Sequence, residues 1–263
     1  MSLQVHRYAI ALTEPERHVA EIELTLSLPE ARDHVEVMMP AWCPGSYLIR
    51  DYARFVRDLR ALTDDGRALV AVKTDKHTWR IACAGAQRII VRYAVYGHDL
   101  TVRTNHIDGT HAFLHGPATF LYCPEFAQQP VAVQLTLPPG RGWTVTVALP
   151  QRDGAYVAAH IDALFDAPFH AGVVEVWPVP NTPVPVQLTV WGQFAPGPIA
   201  IGDLLGDLGA IVRAHAERLG VPFTRYEFVL MLSADAYGGL EHRDGSINLF
   251  NPMALTSRKH YEN

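Results

Sequence analysis

The stretch HVAEIELTLSL, residues His18–Leu28, alternates apolar and polar side chains with a period of two residues. This alternation predicts a β-strand with one buried face. The apolar side consists of Ile22, Leu24, Leu26 and Leu28. Similar alternation returns at residues 131–138 (VAVQLTLP) and 143–150 (WTVTVALP). Because Pro and Gly separate these runs at short intervals, we expect an antiparallel β-sandwich over the first part of the chain.

The periodicity changes in the last third of the chain. Between Ile201 and Leu219 apolar side chains recur at helical spacings, and Gly220 predicts the end of this helix. A β-rich run at 225–233 (RYEFVLMLS) follows it. The expected fold class is therefore mainly β with an α+β C-terminal part. We expect a β-sandwich N-terminal domain at residues 1–168 and a second domain at 169–263.

Composition excludes several classes of partner. The 22 basic and 27 acidic residues give a formal net charge of −5, and no run of Lys or Arg is present, so nucleic acid is not an expected partner. No segment has the length and apolarity of a membrane span or a secretory signal. The three cysteines are far apart and form no CxxC pair, which indicates a reducing compartment. We therefore expect a cytoplasmic protein without a membrane partner.

Histidines are concentrated at residues 105–116, NHIDGTHAFLHG. His111 and His115 are four residues apart, but on a strand this spacing separates them by about 13 Å, too far for one zinc ion to bridge. His106 and Asp108 stand next to an Asp-Gly turn signal. We interpret these histidines as ordinary residues of a β-domain and predict no metal ligands. Since HExxH, GxSxG, GxGxxG and Walker motifs are absent from the sequence, no catalytic residue is predicted either.

The segment AYGGLEHRDGS, residues 236–246, places two glycines directly before a Glu-His-Arg triplet. Residues without a Cβ leave a strand edge bare, so that a peptide can pair with it by β-augmentation. Glu241 would then present a carboxylate to a terminal ammonium group. The residues alone favour the other interpretation, a glycine bulge followed by a solvated turn. The candidate substrate-binding residues are Gly238, Gly239, Leu240, Glu241 and His242.

Two segments together resemble the glycyl aminopeptidase family of zinc metallopeptidases, relatives of the thermolysin-like fold. They are WCPGSYLIRDYARFV at 42–56 and YGGLEHRDGS at 237–246, and the segments 102–122 and 161–172 between them also resemble that family, in the same order. The resemblance implies a β-domain followed by a thermolysin-like catalytic domain. It further implies that Gly238 and Gly239 border the substrate cleft and that Glu241 recognises the α-ammonium group, with His242 and Arg243 nearby.

In that family an HExxH helix supplies two zinc ligands and the general base, and it would follow SRKHYEN at 257–263. The resemblance thus implies an N-terminal fragment whose second domain, 169–263, is an incomplete thermolysin-like domain. We expect Zn²⁺ in the intact family enzyme and none bound to this chain, which would be inactive by itself. The expected partner is a peptide with a free N-terminus, and exposed apolar surface on the second domain predicts self-association. The alternative is a non-catalytic β-rich peptide-binding module.

Overall fold

The computed structural model describes residues 6–262, which are rich in β-strands. The strands in this range are β1 (His6–Ala11), β2 (Val19–Ser27), β3 (His34–Met38), β4 (Val56–Thr63), β5 (Ala68–Leu69), β6 (Ala71–Lys73), β7 (Thr78–Ala82), β8 (Arg88–Tyr96), β9 (His106–Ile107), β10 (His111–Leu114), β11 (Val131–Thr136), β12 (Thr144–Thr146), β13 (Gln151–Arg152), β14 (Ala155–Ala158), β15 (Phe169–Gly172), β16 (Glu175–Pro178), β17 (Val186–Trp191), β18 (Tyr226–Leu232), β19 (Gly238–His242) and β20 (Gly245–Phe250).

Helices are few in the described range. The α-helices are α1 (Gly116–Thr119), α2 (Ile161–Phe165), α3 (Ile201–Leu219) and α4 (Arg258–Tyr261). Short 3-10 turns occur at Pro15–Arg17, Tyr52–Phe55, Pro124–Phe126 and Pro252–Thr256. The mainly β class predicted from the sequence is confirmed.

The chain divides into two compact units. The first unit comprises the residues up to Asp99 together with Arg103–Arg141 and Leu149–Phe169. The second unit comprises the residues from His170 onward, together with the short segments Leu100–Val102 and Gly142–Ala148. Its two short segments are far from the rest of the unit in sequence, so a single cut along the chain does not describe the division.

An eight-stranded sheet dominates the first unit, in the order β13-β14-β11-β1-β2-β8-β4-β5. β2 pairs antiparallel with β8 from Val19 opposite Tyr96 to Ser27 opposite Arg88. Ile22, Leu24 and Leu26 of β2 are buried, which confirms the strand predicted from the alternation. β1, in the middle of the sheet, pairs antiparallel with β2 and parallel with β11. A smaller sheet, β3-β7-β6, belongs to the same unit, and the predicted sandwich arrangement stays a prediction.

β9 and β10 form an antiparallel hairpin in the first unit, with His106 opposite Phe113 and Ile107 opposite Ala112. All six residues of the two strands are buried. Asn105, which directly precedes β9, anchors the start of the hairpin through its side chain. Its Oδ1 accepts hydrogen bonds from His115 N at 2.8 Å and from Thr119 Oγ1 at 3.1 Å. We call the segment from His106 to Leu114 the histidine hairpin.

The second unit contains a five-stranded sheet in the order β16-β17-β18-β20-β19. Its three inner strands are parallel, and each terminal strand is antiparallel to its neighbour. α3 connects β17 to β18 and has the bounds that its apolar spacing predicts. It ends at Gly220, whose φ of 76° favours glycine. The apolar residues of α3 pack on a cluster that includes Leu188, Val190 and Leu230.

The last of the three alternating stretches forms a shorter strand than its pattern indicates. β12 covers Thr144–Thr146 only and pairs antiparallel with His170–Gly172 of β15. The next residues, Val147 and Leu149, are buried but lie outside any strand. Burial of alternate residues therefore continues after the hydrogen-bonded ladder has ended.

Candidate functional site

The glycine-rich segment forms a strand at the end of the five-stranded sheet. β19 pairs antiparallel with β20, with Gly239 opposite Asn248 and Glu241 opposite Ser246. Arg243 and Asp244 make the turn between the two strands. We call Gly238–Phe250 the edge hairpin. Of the two structures that the residues allowed, a strand edge and a bulge, the protein forms the strand.

The side chains of β19 alternate in exposure as a terminal strand requires. Leu240 is 2% exposed and belongs to the core, so its backbone alone is available to a ligand. Gly239 and Glu241 are exposed, and Gly238 and His242 are half-buried. Because opposite residues of an antiparallel pair share a face, Glu241 lies on the same face as Ser246 and Asn248.

Neither glycine of β19 is enclosed by backbone. A Cβ added at Gly238 would meet the Val102 side chain at 3.5 Å, and one added at Gly239 would meet Asn248 Oδ1 at 3.5 Å. Both distances are ordinary van der Waals contacts. Neither glycine has a positive φ. Glycine is thus not required here by the fold of the chain itself, which leaves close approach of another molecule as a physical reason for it.

A cavity of about 240 Å³ lies beside the same face of the sheet. Ser246 and Asn248 supply polar atoms to its wall, and the Asn248 side chain donates a hydrogen bond to Ser246 Oγ at 3.0 Å. The remaining wall is largely apolar and comes from α3, β17, β18 and the C-terminal segment, including Leu188, Leu204 and Phe228. The exposed carboxylate of Glu241 therefore shares its sheet face with an apolar cavity that has two polar groups.

A second group of functional side chains lies in the histidine hairpin. One nitrogen each of His106 and His111 and one carboxylate oxygen of Asp108 lie within 4.8 Å of one another. Within residues 6–262 this is the one group of three His, Cys, Asp or Glu side chains that are close enough to hold a metal ion. Residue spacing along the chain did not indicate this group, because the hairpin pairing is what brings His106 and His111 together.

Four imidazole rings stack in this part of the first unit. The ring centroids are 4.8 Å apart between His111 and His106, 5.2 Å between His106 and His98, and 3.7 Å between His98 and His18. The sequence around His18 and His98 does not indicate that they belong to this stack, because both residues lie outside the hairpin in the chain. His115, grouped with the others by sequence, lies elsewhere: its ring is 5.7 Å from that of Tyr52, and it is not part of the three-residue group.

Burial and hydrogen bonding set the charge states of this group. Burial lowers the pKa of His106, which favours the neutral imidazole. For Asp108, burial opposes ionisation, but hydrogen bonds from Thr110 and His111 prevail and lower the pKa of the carboxyl. The hairpin thus contains an ionised carboxylate beside the His106 imidazole, whose neutral form burial favours.

Residues 42–51 form a loop that leads into the 3-10 turn at Tyr52–Phe55. Tyr47 is fully exposed and Trp42 is 46% exposed, whereas Tyr52 is buried and donates a hydrogen bond to Cys43 Sγ at 3.2 Å. The Trp42 indole donates to Ser46 O at 2.7 Å. Trp42 and Tyr47 are therefore exposed aromatic side chains, and the hydrogen bond within the turn holds its shape without burying them.

Comparison with known proteins gives this geometry a context. Residues 7–173 match the sequence family described as Peptidase M61 N-terminal domain. The structure is similar to that of an aminopeptidase N family protein from Idiomarina loihiensis, with a TM-score of 0.89 and 27% sequence identity. This similarity covers 97% of the chain and 43% of the Idiomarina protein. No curated protein matches the chain in sequence.

Two more distant likenesses show the fold alone. An M1 zinc metallopeptidase from Deinococcus radiodurans bound to a Tyr-Ser-Ala substrate has a TM-score of 0.55 at 12% identity, over 98% of this chain and 62% of its own. Yeast LTA4 hydrolase has a TM-score of 0.51 at 11% identity, over 96% of this chain and 41% of its own. The chain thus spans less than two thirds of the length of each of these relatives.

The donor groups near β19 do not fit a catalytic zinc ion. The sequence contains no HExxH, and the only qualifying group among the described residues belongs to the first unit. The described residues near β19 therefore bind and orient a peptide at most, and they supply no zinc ligand set. As for membranes, no described helix combines the length and apolarity of a membrane span.

Proposed function

This chain belongs to the Peptidase M61 N-terminal domain family, and from that premise we propose that it forms the N-terminal part of a zinc aminopeptidase of the glycyl aminopeptidase type. Residues 1–168 are assigned to a β-sandwich domain and 169–263 to the first part of a thermolysin-like domain. The start of most of the second unit at His170 supports this assignment, as do the mixed sheet and α3. The Idiomarina aminopeptidase N family protein supports the class of activity.

One observation carries the proposal: β19 is the terminal strand of the sheet and presents an exposed Glu241 beside two glycines. A peptide that adds as a further strand gains main-chain hydrogen bonds along such an edge. The glycines allow its backbone to approach closely, since no Cβ stands between the two chains. Leu240 and His242 take part as the neighbouring positions of the same strand.

Glu241 recognises the N-terminal amine of the substrate. An ionised carboxylate and an ammonium group make a charge-assisted hydrogen bond, which is worth about 1.5–3 kcal/mol. Placed at the end of an edge strand, this contact admits only the first residue of a peptide and fixes its distance from the reacting group. In the intact enzyme a bound Zn²⁺ would supply an activated water; this chain's residues bind and orient the peptide.

The test measures binding of Gly-Gly-Gly and N-acetyl-Gly-Gly-Gly to this chain by isothermal titration calorimetry. We expect the free peptide to bind at least about tenfold more tightly, because acetylation removes the charge that Glu241 recognises. Glu241→Gln should abolish the preference. Glu175→Gln is the matched control, since Glu175 is an exposed acid of β16, the opposite terminal strand. A preference that survives Glu241→Gln would remove this residue from amine recognition.

A non-catalytic peptide-binding module is the alternative, and the same terminal strand supports it. Hydrolysis separates the two functions. The product of the whole gene is assayed with glycyl and alanyl p-nitroanilides in the presence and absence of a chelator. Chelator-sensitive turnover supports the aminopeptidase, whereas saturable peptide binding without turnover supports the module. Residues 1–263, which contain no HExxH, should show no turnover by themselves.

Self-association through the second unit is also proposed. Tyr237 is 83% exposed and Ile211 is 52% exposed, and Met253 is also exposed. Large exposed apolar side chains of this kind favour contacts between molecules. Light scattering across a concentration series should show a rising mean mass, and a constant monomer mass would contradict the proposal.

A further inference from the structure

We propose that His106, Asp108 and His111 bind a divalent transition-metal ion, Zn²⁺ in the first instance, which clamps the histidine hairpin. The proposal does not depend on the peptidase function, since no residue of β19 takes part. It departs from the sequence-based expectation that this chain holds no metal. Its basis is the convergence of three donors that the hairpin brings together.

The distances are close to those that a metal ion requires. In a four-coordinate zinc site with bonds of about 2.0–2.2 Å, neighbouring donor atoms are about 3.3–3.6 Å apart. One nitrogen of each histidine and one carboxylate oxygen of Asp108 lie within 4.8 Å of one another. To reach these distances the donor atoms would have to approach one another by up to about 1.5 Å, which requires a rotation of the stacked His106 and His111 rings.

Asp108 is anchored for this role by its own turn. Its Oδ1 accepts hydrogen bonds from Thr110 N at 2.7 Å, Thr110 Oγ1 at 2.6 Å and His111 N at 3.1 Å. All of these bonds reach one oxygen, which leaves Oδ2 available to a metal ion. Hydrogen bonds of this kind orient ligating carboxylates in metal sites, because they reduce the freedom lost when the ion binds.

His106 gives a second, independent observation. The residue is 7% exposed, and its Nδ1 has no hydrogen-bond partner within the described residues. A buried polar atom in that state is rare in folded proteins and calls for an explanation such as a missing ion. Two imidazoles and one carboxylate suit Zn²⁺, Co²⁺ and Ni²⁺ better than Mg²⁺ or Ca²⁺, which prefer all-oxygen ligand sets.

A bound ion would stabilise the folded chain. The ligands belong to β9, the turn and the first residue of β10, so a bound ion connects the two strands across the turn in the folded state alone. Binding to the folded chain raises the melting temperature, by about 5 °C or more when free zinc exceeds Kd by 100-fold. Mg²⁺ at the same concentration should leave the melting temperature unchanged.

The test uses this chain freed of metal with a chelator and dialysed. Isothermal titration calorimetry with ZnCl₂ should show one ion per chain, and bound Co²⁺ should give visible d–d absorption bands typical of low coordination number. Asp108→Asn keeps an oxygen for the turn but removes the charge, so it should fold normally and bind zinc at least about tenfold more weakly. His34→Gln, at an exposed position of β3, is the matched control and should bind like the original chain.

Combined replacement, His106→Gln with His111→Gln, should eliminate binding, provided that circular dichroism shows the fold retained. Should this variant unfold, the Asp108→Asn titration and the Co²⁺ spectrum decide the matter by themselves. The proposal is overturned by the absence of saturable zinc binding, or by equal affinities in the original chain, Asp108→Asn and His34→Gln. Neither result bears on peptide binding at β19, which is measured without metal.

Discussion

The histidine hairpin and the edge hairpin are both antiparallel pairs that carry a histidine and a carboxylate, yet they are built in opposite ways. In the histidine hairpin all residues of β9 and β10 are buried, and rings from distant segments stack on it. In the edge hairpin, β19 ends its sheet with two exposed positions. The same residue types therefore serve an internal clamp in one hairpin and an external binding edge in the other.

This difference shows that the surroundings of an ionisable side chain determine its role. Asp108 accepts three hydrogen bonds from its own turn, and burial lowers the pKa of the neighbouring His106. Glu241 is exposed and lies opposite Ser246 in the sheet, where a second molecule can reach it. Glycines beside the two hairpins show the same contrast. A Cβ added at Gly97 would lie 2.5 Å from Asn105 Cβ, whereas one added at Gly239 would make an ordinary contact at 3.5 Å.

The largest expected effect is that of Gly97→Ala. Gly97 O accepts a hydrogen bond from Ile107 N at 2.8 Å, so this residue borders the histidine hairpin. An added Cβ would lie 2.5 Å from Asn105 Cβ and 2.9 Å from its backbone carbonyl. Relieving such overlap costs about 1–3 kcal/mol or more, and we expect about 3 kcal/mol because Asn105 is buried and hydrogen-bonded.

Urea unfolding measures this loss. The control is Gly206→Ala inside α3, where nothing lies within 4 Å of the added Cβ, so the same substitution should stabilise by about 1 kcal/mol. If Gly97→Ala lowered the free energy of unfolding no more than its control does, the histidine hairpin would not be more tightly packed than the edge hairpin.

A smaller effect is expected at the sheet that carries the edge hairpin. Glu227 of β18 is 4% exposed, and burial raises the pKa of its carboxyl despite a hydrogen bond donated by Thr189 Oγ1 at 2.9 Å. A carboxyl with a raised pKa favours folding below its unfolded pKa of about 4.3, and that contribution is lost as pH rises through the folded value. Glu227→Gln removes this loss and should raise the free energy of unfolding by about 1 kcal/mol at pH 7.

The gain from Glu227→Gln should shrink as pH approaches 4, where the native carboxyl is protonated as well. Denaturant unfolding at pH 7 and at pH 4.5 provides the measurement. An equal change at both pH values would show that the substitution acts through packing rather than through charge.

The smallest effect on stability is expected for Gly239→Ala. Its Cβ would make an ordinary contact with Asn248 Oδ1 at 3.5 Å, and its φ is not positive, so thermal unfolding should show a gain of about 0.5 kcal/mol or no change. Affinity for Gly-Gly-Gly should nevertheless fall, because the new methyl group stands where the peptide backbone approaches. A variant that binds the peptide as well as the original chain would show that the bare edge is not used.

Local patterns account for the elements that the sequence predicts well. The alternation around Leu24 requires one buried and one solvated face, and β2 has both. The helical spacing from Ile201 to Leu219 coincides with α3 because its apolar residues lie on one side of the helix. The glycines of β19 likewise indicate a strand edge from the local sequence, since the absence of a Cβ is a property of the residue itself.

Sequence by itself determined the β-rich class, the long helix and the candidate edge at Gly238–His242, because periodicity and glycine act over a few residues. Tertiary structure alone decided that β1 pairs in parallel with β11, that Gly142–Ala148 joins the second unit, and that His106, Asp108 and His111 converge beside His98. These arrangements depend on pairing between segments far apart in the chain. The free energy of such pairing comes from burial and hydrogen bonds that no local pattern contains.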